Sequence, residues 1–410
     1  MTDAKKLIVI GGGPAGMMAA GTAASRGLEV ILVEKNKKVG KKLFITGKGR
    51  CNITNSIDVE GLIRNVPVNG NFLYSAFYTF TNDDVINFFE NLGVKVKEER
   101  GGRIFPQSDQ AADVVNALER YMAGNNVKIL HGTVAKILTA NQKVTGVRLK
   151  DGRTLSCESV VIATGGKSYP GTGATGDGYT FARQLGHTVT SLNPSLVPLE
   201  VQEEWVKALQ GLSLKNIAIT VLNDKDKKIY TDFGEMLFTH FGVSGPVILS
   251  ASSHMRDMKK QSYRVIVDLK PALSEEQLDK RIQRDFEKYA RKHYINALDD
   301  LLPKKLVPVI AELSQIPKDK PVHQITKQER KTVVVLMKNL LLHIRRFRPL
   351  AEAIITSGGV HTDEINPGTM ESKIINGLFF AGEVIDVDAY TGGFNLQIAF
   401  STGYIAGYHV

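Results

Sequence analysis

The chain has 410 residues, more than one ordinary domain contains, so we expect two or three domains with one inserted in another. Its hydrophobic content of 43% and charged content of 23% are typical of a soluble globular protein, and the sequence excludes repeat and low-complexity architectures. The formal net charge of +10 can attract anionic partners, among which polyanionic cofactors, acidic substrates and RNA all qualify.

The two cysteines, Cys51 and Cys157, lie far apart and form no Cys-x-x-Cys pair. They indicate neither a disulfide framework nor a zinc cluster, so we expect no metal site and a cytoplasmic protein. The long uncharged stretch 389–410 is interrupted by four glycines, Asn395 and Gln397, which is not the pattern of a membrane span.

The first motif lies where the apolar run Leu7 to Ile10 passes directly into a glycine-rich turn with the spacing Gly-x-Gly-x-x-Gly. Gly11 would let the chain leave a strand through a tight turn, and Gly13 would let the backbone approach a pyrophosphate. Gly16 would let the next helix lie against the sheet. The pattern predicts the first turn of a dinucleotide-binding domain.

A helix is expected from Pro14 to about Arg26, with its free N–H groups and positive dipole end directed at phosphates. The next strand, Glu29 to Val33, ends at Glu34, which is 18 residues after Gly16. A carboxylate at this place can accept hydrogen bonds from the hydroxyls of an adenosine ribose.

Two other interpretations of this stretch exist. Residues 7–25 are uncharged and follow two lysines, as in a signal peptide or a short membrane span, but Pro14 and five glycines would interrupt a hydrophobic helix. The turn could also merely pack against its neighbours, in which case Glu34 at the expected distance would be a coincidence.

A second glycine-rich segment, Leu43 to Asn55, follows Val39-Gly40-Lys41-Lys42 and has neither helical nor strand periodicity. Closely spaced glycines with lysines, an arginine and amide side chains can wrap an anionic or hydrogen-bonding ligand. An ordinary surface loop contains the same turn residues, but the density of Gly, Lys and Arg favours ligand contact.

The turn 11–16, the run Glu34-Lys35-Asn36 and the block 46–55 together resemble the bacterial BaiN/YhiN-like family of NAD(P)/FAD-dependent oxidoreductases, which includes aminoacetone-oxidase-like flavoproteins. That family commonly has serine and three glycines before the Arg-Cys-Asn of the second loop, whereas this chain has Thr46 and Lys48 there. If the backbone at position 48 approaches the flavin, the side chain of Lys48 must point away or place a cation nearby.

Several regular elements are expected between residues 81 and 157. They are helices at Thr81–Leu92 and Ala111–Met122, a strand at Lys128–His131, a β segment around Val134, and a hairpin of Lys143–Lys150 and Arg153–Cys157 around Asp151-Gly152. The segment Gly101 to Pro106 either faces the flavin or a substrate, or is a hairpin turn.

A further strand, Ser159 to Ile162, enters the glycine turn at 163–166, which resembles that of two-dinucleotide-fold flavoproteins, including the fumarate-reductase-like group. The segment Gly171 to Gly176 also fits Gly-x-Gly-x-x-Gly. We do not interpret it as a second NAD site, because the strand ends earlier and no acid ends another strand at the right distance. We expect it to precede a helix from Tyr179 to Gly186, with Asp177 at or near the N-cap.

The pattern changes near residue 192. Short β-type runs predict a small barrel or sandwich, and they are Leu196–Val201, Lys215–Leu222, Lys228–Thr231 and Tyr263–Leu269. The segment Glu235 to Pro246 matches another block of the same family. Its His240 either serves an active site facing the flavin or is a packed, hydrogen-bonded residue.

Capping boxes at Ser274 and Thr326 predict two helices. The second helix would carry one broad apolar face, made by Val333, Met337, Leu340, Leu341 and Ile344. The run Arg345 to Arg348 encloses Phe347 and is the densest basic segment. It is typical of a solvated helix end, and contact with an anionic partner is the alternative.

The last part of the chain returns to the first domain. We expect a strand at Ala351–Ser357, a hairpin at Ile374–Phe380 with an Asn-Gly turn, and a strand end at Gly382-Glu383. The resemblance makes Glu383 a flavin-ribityl contact. A final helix, beginning at Gly392 to Gln397 and reaching about Ala406, would direct its N-terminus at the pyrimidine edge of the isoalloxazine.

The resemblance implies FAD as the cofactor and a set of contacts to it. The expected contacts are Gly11, Gly13, Pro14, Ala15, Gly16, Glu34, Lys35, Gly40, Lys41, Lys42, Thr46, Gly47, Gly49, Arg50, Cys51, Asn52, Val134, Ala163, Thr164, Gly165, Gly382, Glu383, Gly393, Phe394, Asn395 and Leu396. For Cys51, a buried structural thiol is favoured over a redox role, because no partner cysteine is near in sequence. No catalytic residue is nominated.

We therefore predict an α/β protein whose Rossmann-like, glutathione-reductase-like FAD-binding domain comprises residues 1–191 and 348–410. An inserted β domain, 192–271, and an inserted helical domain, 272–347, complete the chain, with a substrate cleft between the FAD domain and the insertion. The expected activity is NAD(P)H-linked reduction of a small unsaturated or carbonyl substrate. An oxidase of a small amine or alcohol and a flavoprotein that binds or modifies RNA are the alternatives.

Overall fold

The computed structural model describes residues 5–255, 258 and 261–410, which fold into strands and helices joined by turns and short 3-10 helices. In this part of the chain, strands β1 to β19 are, in order, Lys6–Ile10, Glu29–Glu34, Thr54–Asn55, Val96–Glu99, Arg103–Pro106, Lys128–His131, Val134–Ala140, Lys143–Leu149, Thr154–Ser156, Ser159–Ile162, Asn193–Ser195, Leu199–Val201, Ser213–Asn223, Lys228–Phe238, Gly242–Ser244, Tyr263–Asp268, Leu340–Phe347, Ile355–Ser357 and Leu378–Phe380. Helices α1 to α11 are Pro14–Ser25, Val59–Arg64, Tyr74–Thr79, Asn82–Asn91, Ala111–Gly124, Asp177–Gln184, Pro246–Ser252, Glu275–Lys288, Val307–Leu313, Lys327–Lys338 and Phe394–His409. The chain divides into two units, Met1–Ser195 with Pro349–Val410, and Leu196–Arg348.

A parallel five-stranded sheet with the order β19-β10-β1-β2-β6 forms the base of the first unit. Strand β1 lies at its centre, and Leu7 to Ile10 are at most 5% exposed because both faces of a parallel sheet are covered. The predicted α/β class is confirmed. Ligands of such sheets bind at the carboxyl ends of the strands, so this edge is where a site is expected.

Three small antiparallel sheets accompany the parallel one among the described residues of this unit, with the orders β3-β5-β4, β7-β8-β9 and β11-β18. The hairpin predicted at Asp151-Gly152 joins β8 to β9 and is confirmed. The segment at Gly101-Gly102 is a hairpin turn between β4 and β5, where both glycines have positive φ angles of 80° and 71°.

Helices α1 and α11 pack backbone against backbone. A Cβ atom on Gly403 would lie 2.5 Å from the carbonyl oxygen of Ala15, and one on Gly407 would lie 2.4 Å from that of Ala19. Both pairs advance by four residues in the same direction, so the helices run parallel. Residue 401 of α11 is therefore level with Gly13, the N-cap of α1. The N-cap of α11 is Gly393, eight residues earlier, so at a rise of about 1.5 Å per residue α11 extends about 12 Å beyond the start of α1.

Both of these helices are rich in apolar and small residues, and most of their side chains are buried in the core of the first unit. Neither they nor any other helix of the described residues is long and apolar enough to cross a membrane.

The second unit is built on a closed barrel with the strand order β12-β15-β14-β13-β16-β17. Alternate residues of β16 and β17, such as Val265, Val267 and Leu342, are fully buried inside it. Helices α8 and α10 add Leu278 and Met337 to the same hydrophobic core. The predicted barrel is confirmed. Its hydrophobic core also includes residues of the helices, which the sequence analysis assigned to a separate helical domain at 272–347.

The helix predicted across Leu340, Leu341 and Ile344 is wrong. Helix α10 ends at Lys338, after which Asn339 has the non-helical angles φ −137° and ψ 52°, and residues 340–347 form β17. Strand β17 pairs with both β16 and β12 and so closes the barrel. The basic run 345–348 consequently lies at a strand end and not at a helix end.

The hairpin predicted at Ile374–Phe380 is correct only in part: a hydrogen bond from the N–H of Leu378 to the carbonyl of Ile375 closes the Asn-Gly turn, but the antiparallel partner of Phe379 is Glu371, outside the predicted range. Only Leu378–Phe380 forms a strand, and it pairs in parallel with β10. The Oγ of Ser372 accepts hydrogen bonds from the N–H groups of Ile374 and Ile375, which are therefore unavailable to a strand ladder. The strand predicted at 351–357 is shortened to β18, because residues 350–352 form a turn of 3-10 helix.

His187 is a buried histidine whose tautomer is set by its neighbours. Its Nε2 lies 2.7 Å from Ser372 Oγ, which already accepts two backbone N–H groups, so the hydroxyl proton goes to Nε2 and the ring proton sits on Nδ1. Nδ1 is buried and has no hydrogen-bond partner among the described residues. Burial lowers the pKa of His187, and the negative charge of Glu364 offsets only part of that effect.

We therefore expect His187 to make the fold less stable in mild acid. Below about pH 6.5, the ordinary histidine value, the unfolded chain binds a proton at His187 that the folded chain does not, so the free energy of unfolding falls until the lowered pKa is reached. In melting experiments from about pH 7.5 to about pH 5, His187→Gln should lose less of its melting temperature than the wild type. His293→Gln, the same change at an exposed histidine, should follow the wild type. An equal decline in all three proteins would contradict the assignment.

Candidate functional site

A groove runs along the carboxyl edge of the parallel sheet in the first unit, with an empty volume of about 1340 Å3 that includes the solvent at its mouth. Of the expected cofactor contacts, those that line it are Gly11, Gly13, Pro14, Ala15, Glu34, Lys35, Lys41, Lys42, Thr46, Val134, Ala163, Thr164, Gly165, Gly382, Glu383, Asn395 and Leu396. The expected contacts that do not line it are Gly16, Gly40, Gly47, Gly49, Arg50, Cys51, Asn52, Gly393 and Phe394. Segments scattered over the whole sequence thus meet at one edge of the sheet.

The three glycines of the first turn have three different surroundings. Gly11 has φ 106°, and a Cβ there would lie 2.5 Å from the carbonyl oxygen of Ala163; one on Gly16 would lie 1.9 Å from that of Gly11. A Cβ on Gly13 would meet nothing within 4 Å, so Gly13 borders open space at the start of α1. The helix has no side-chain cap there, which leaves first-turn N–H groups for an anion. This cradle fits the diphosphate of FAD.

Glu34 is buried at 7% exposure, and both of its carboxylate oxygens accept hydrogen bonds from protein groups. Oε2 accepts from the N–H of Gly12 at 2.7 Å, and Oε1 accepts from the N–H and the side-chain amide of Asn36, each at 2.7 Å. The carboxylate therefore fixes the glycine turn to the end of β2. The contact of Glu34 with a ribose stays a prediction. A ribose hydroxyl would have to donate to a carboxylate lone pair that these three hydrogen bonds leave unused.

Four residues of the segment 172–177 line the groove, although the sequence gave this segment no ligand contact; they are Thr172, Gly173, Ala174 and Asp177. The side-chain amide of Asn36 donates to the carbonyl of Thr172 at 3.0 Å, and Lys35 Nζ pairs with Asp177 at 2.7 Å. Positive φ angles at residues 173 and 176 let this segment turn back toward the groove. In the sequence, these glycines indicate a turn but not which ligand the turn would contact.

An ion pair lies inside the groove between the second loop and the end of β19. Lys42 Nζ donates to Glu383 Oε2 and to Ser168 Oγ, each at 2.8 Å, and Glu383 Oε1 accepts from the N–H of Thr356 at 2.9 Å. The side chains of Lys42 and Glu383 are only 23% and 20% exposed. Four chain segments are joined here, so the walls of the groove are held before any ligand binds.

The second loop begins as a 3-10 helix at Leu43–Gly49 that is interrupted at Thr46. Residues 47, 48, 49 and 51 all have positive φ angles, between 56° and 87°. Lys48, at φ 59°, adopts the left-handed conformation that costs a non-glycine residue about 1 kcal/mol, and its side chain is exposed. Lys48 does not line the groove, so a side chain directed away from the flavin, the first of the two options given by the sequence, stays the prediction.

Arg50 and Cys51 have surroundings that direct them away from the groove. Arg50 forms two hydrogen bonds with the carboxylate of Glu99, at 2.8 and 2.9 Å, and its guanidinium lies 4.0 Å from the ring centre of Phe105. Cys51 is fully buried, and burial raises the pKa of its thiol to about 12. A thiol in this state is protonated and unreactive, which supports a structural role. Asn52 Oδ1 is buried without a partner among the described residues.

The N-terminus of α11 forms the other end of the groove. Gly393 has φ 100°, and a Cβ there would lie 2.2 Å from the carbonyl oxygen of Thr54. The side chain of Asn395 is engaged by Ala389, whose N–H it accepts at 3.0 Å and to whose carbonyl it donates at 2.8 Å. Leu396 and Ala399 add apolar surface to the groove. An apolar wall ending in free helix N–H groups fits the isoalloxazine ring and its negative charge on reduction.

His240 belongs to the second unit and lies at the turn between β14 and β15. Its side chain is exposed, and its ring contacts Phe241 edge to face with the centres 4.9 Å apart. The interpretation as a packed histidine is therefore wrong. No group of three or more His, Cys, Asp or Glu able to hold a metal is found in the described ranges.

Two glycines of the first turn provide a matched test of the cradle. Gly16→Ala should prevent folding, because its methyl would overlap the carbonyl of Gly11. Gly13→Ala should fold, and without FAD its melting temperature should be close to that of the wild type without FAD. Its methyl would occupy the phosphate position, and we expect it to weaken FAD binding by tenfold or more, which corresponds to about 1.4 kcal/mol. FAD content and titration by fluorescence measure this difference. Normal FAD affinity in Gly13→Ala would show that the diphosphate binds elsewhere.

The Lys42–Glu383 pair should be coupled energetically. Lys42→Met leaves a half-buried carboxylate without its cation and should lower the free energy of unfolding by about 1–3 kcal/mol. Lys37→Met, at an exposed lysine of the preceding segment, should change it by less than about 0.5 kcal/mol. A double-mutant cycle with Glu383→Gln in urea should give a coupling of about 1 kcal/mol. Additive effects would mean that the pair contributes nothing.

Comparison with known proteins assigns the family. A family model described as HI0933-like protein Rossmann domain matches residues 5–409. The chain is 33% identical over 404 residues to a 3-dehydro-bile acid delta(4,6)-reductase of Clostridium scindens, covering 97% of both chains. It is 32% identical over 401 residues to a ribosomal RNA dihydrouridine synthase of Escherichia coli, covering 97% of this chain and 96% of that one.

Among solved structures, 3-ketosteroid delta1-dehydrogenase from Sterolibacterium denitrificans shares the fold. It aligns with a TM-score of 0.52 at 14% identity, over 100% of this chain and 99% of the other. The resemblance inferred from the glycine turn and the second loop is confirmed by the family match. The chain therefore belongs to the HI0933-like Rossmann family and is an enzyme of the FAD-dependent oxidoreductase class.

Proposed function

We propose that this enzyme is a reductase that adds two hydrogens across a carbon–carbon double bond conjugated to a carbonyl group. The observation that carries the proposal is the shared chemistry of two relatives that match almost the whole chain. One is named for reducing delta(4,6) double bonds of a 3-dehydro-bile acid, and the other for forming dihydrouridine in ribosomal RNA. Each name describes the reduction of a carbon–carbon double bond.

The two ends of the groove support this proposal because each suits a different part of FAD. Gly13 and the start of α1 would hold the diphosphate, and the apolar wall at Leu396 and Ala399 would hold the ring and exclude water. Bound FAD would supply the hydride chemistry, taking two electrons from a donor and delivering them to the double bond. We propose NAD(P)H as the donor, on the family resemblance.

The distribution of charge favours RNA as the substrate. The second unit, 196–348, contains 27 Lys and Arg against 19 Asp and Glu, a net charge of +8, whereas the FAD unit contains 25 against 23, a net charge of +2. Most of the excess positive charge thus lies outside the unit that would hold the anionic cofactor. A basic surface of this kind attracts a polyanion. The uracil ring, with its double bond conjugated to a carbonyl, is then the group reduced.

A free small molecule with the same conjugated bond is the second candidate, and the bile-acid reductase relative supports it. Such a substrate needs no basic surface. The excess charge on the second unit would then serve only solubility or association.

The reaction can be tested in two stages on the purified flavoprotein. Without oxygen, NADH or NADPH should bleach the flavin absorbance, and addition of the true acceptor should restore it. Uridine-containing RNA and a steroid enone are offered separately, and mass spectrometry of the product should show the gain of two hydrogens. Failure of both nicotinamides to bleach the flavin would remove them as donors. Recovery of colour only with oxygen, with release of peroxide, would instead indicate the oxidase.

A further inference from the structure

Two segments that are far apart in the sequence meet on one side of the barrel. Strand β12 pairs with β15 on one side and with β17 on the other, so that Glu200 lies opposite both Gly242 and Arg346. The turn that carries His240 and Phe241 is therefore brought beside the basic run 345–348. The sequence left a structural and a functional interpretation open for each segment, and it gave no sign that the two segments meet.

Glu200 anchors two of the arginines. Its side chain is only 8% exposed, and its carboxylate accepts from Arg346 Nε at 2.7 Å and from Arg348 Nη1 at 2.9 Å. Burial alone would raise the pKa of Glu200, but its two arginine hydrogen bonds outweigh burial and lower it. The carboxylate is thus charged, and it orients both guanidinium groups.

More positive charge is present than Glu200 can neutralise. The register of β12 and β17 shifts between Glu200 and Val201, and this bulge leaves Arg345 and Arg346 both exposed. The side chain of Arg346 is 66% exposed, so most of its five N–H donors face solvent. Arg345 has no acidic partner among the described residues.

Aromatic surface adjoins these arginines. The guanidinium of Arg348 lies 4.5 Å from the ring centre of Phe241, and the exposed ring of His240 contacts the same phenyl group edge to face. Arginine forks bind phosphate oxygens in pairs, and exposed rings can stack on bases. The combination is suited to a strand of nucleic acid and not to a bare anion.

We propose that His240, Phe241, Arg345, Arg346 and Arg348, the barrel arginine cluster, form a docking surface for the phosphate backbone of an RNA strand. The inference rests on the RNA form of the proposed function. Because Glu200 already orders Arg346 and Arg348, binding would cost less side-chain entropy than it would at isolated lysines. The cluster delivers affinity for the strand and does not read its sequence.

Binding can be tested apart from turnover, on the oxidised holoenzyme and with a labelled single-stranded RNA of about 20 nucleotides that contains uridine. Fluorescence anisotropy gives the dissociation constant as a function of potassium chloride. Arg345→Gln/Arg346→Gln should weaken binding about tenfold or more and reduce the slope of log K against log salt by about 1 to 2. FAD absorbance and melting temperature check the fold.

The matched control is Lys327→Gln/Lys331→Gln, which removes two charges from exposed lysines of α10 in the same unit. It should weaken binding by no more than about twofold. Equal losses of RNA affinity in the two double variants would overturn the proposal, because binding would then depend on the total positive charge of the unit and not on the barrel arginine cluster. Arg345→Gln alone, at a residue without an acidic partner among those described, replaces the double variant if the latter is unstable.

The outcome separates this inference from the proposed function. If NADPH bleaches the flavin and the enone is reduced while the wild type binds no RNA, the reductase stands and the docking surface is rejected. If the labelled RNA is bound through the cluster but no acceptor is reduced, the surface stands and the proposed reaction fails.

Discussion

The close contact between helices α1 and α11 is the constraint on which the FAD unit depends. Gly403 and Gly407 leave no room for a side chain between the two backbones, so the helices lie parallel at a separation that larger residues would not permit. Gly16 brings the start of α1 equally close to the end of β1. The two helix N-termini are thereby fixed at one groove, about 12 Å apart along their axes. A diphosphate and a reduced ring both carry negative charge, and each end of the groove offers N–H groups and a dipole to it.

Charged side chains complete the groove by joining its walls. Glu34 ties the glycine turn to Asn36, and Lys42 ties the second loop to Glu383. Each carboxylate is largely buried and accepts hydrogen bonds at both of its oxygens, which is the condition under which a buried charge is tolerated. A groove organised in this way loses little conformational entropy when a ligand binds. Strained backbone in the second loop is part of the same organisation, since the positive φ angles of Lys48 and Cys51 are ones that non-glycine residues hold only with support from their surroundings.

The second unit shows how an inserted barrel can close although its last strand is distant in sequence. Strand β17 follows three helices and pairs with the two open edges left by β12 and β16, so the helical segment is one long connection within the barrel. The same return places the basic run 345–348 beside the turn at 240–241. Most of the excess positive charge of the chain lies in this unit, and a part of it is organised by the buried Glu200.

The sequence by itself determined the features that depend on a few neighbouring residues. The glycine turn at 11–16, the carboxylate at 34 and the capping boxes at Ser274 and Thr326 are local, because backbone angles and nearby hydrogen bonds decide them. The tertiary structure alone decided β17, since a leucine-rich run fits both a helical and a strand period until an open barrel edge is present to pair with. It also decided that Arg50 pairs with Glu99, that four residues of the segment 172–177 line the groove, and that Arg346 meets Glu200. These partners are 49 to 146 residues apart, and no local pattern encodes a contact that the packing of distant strands creates.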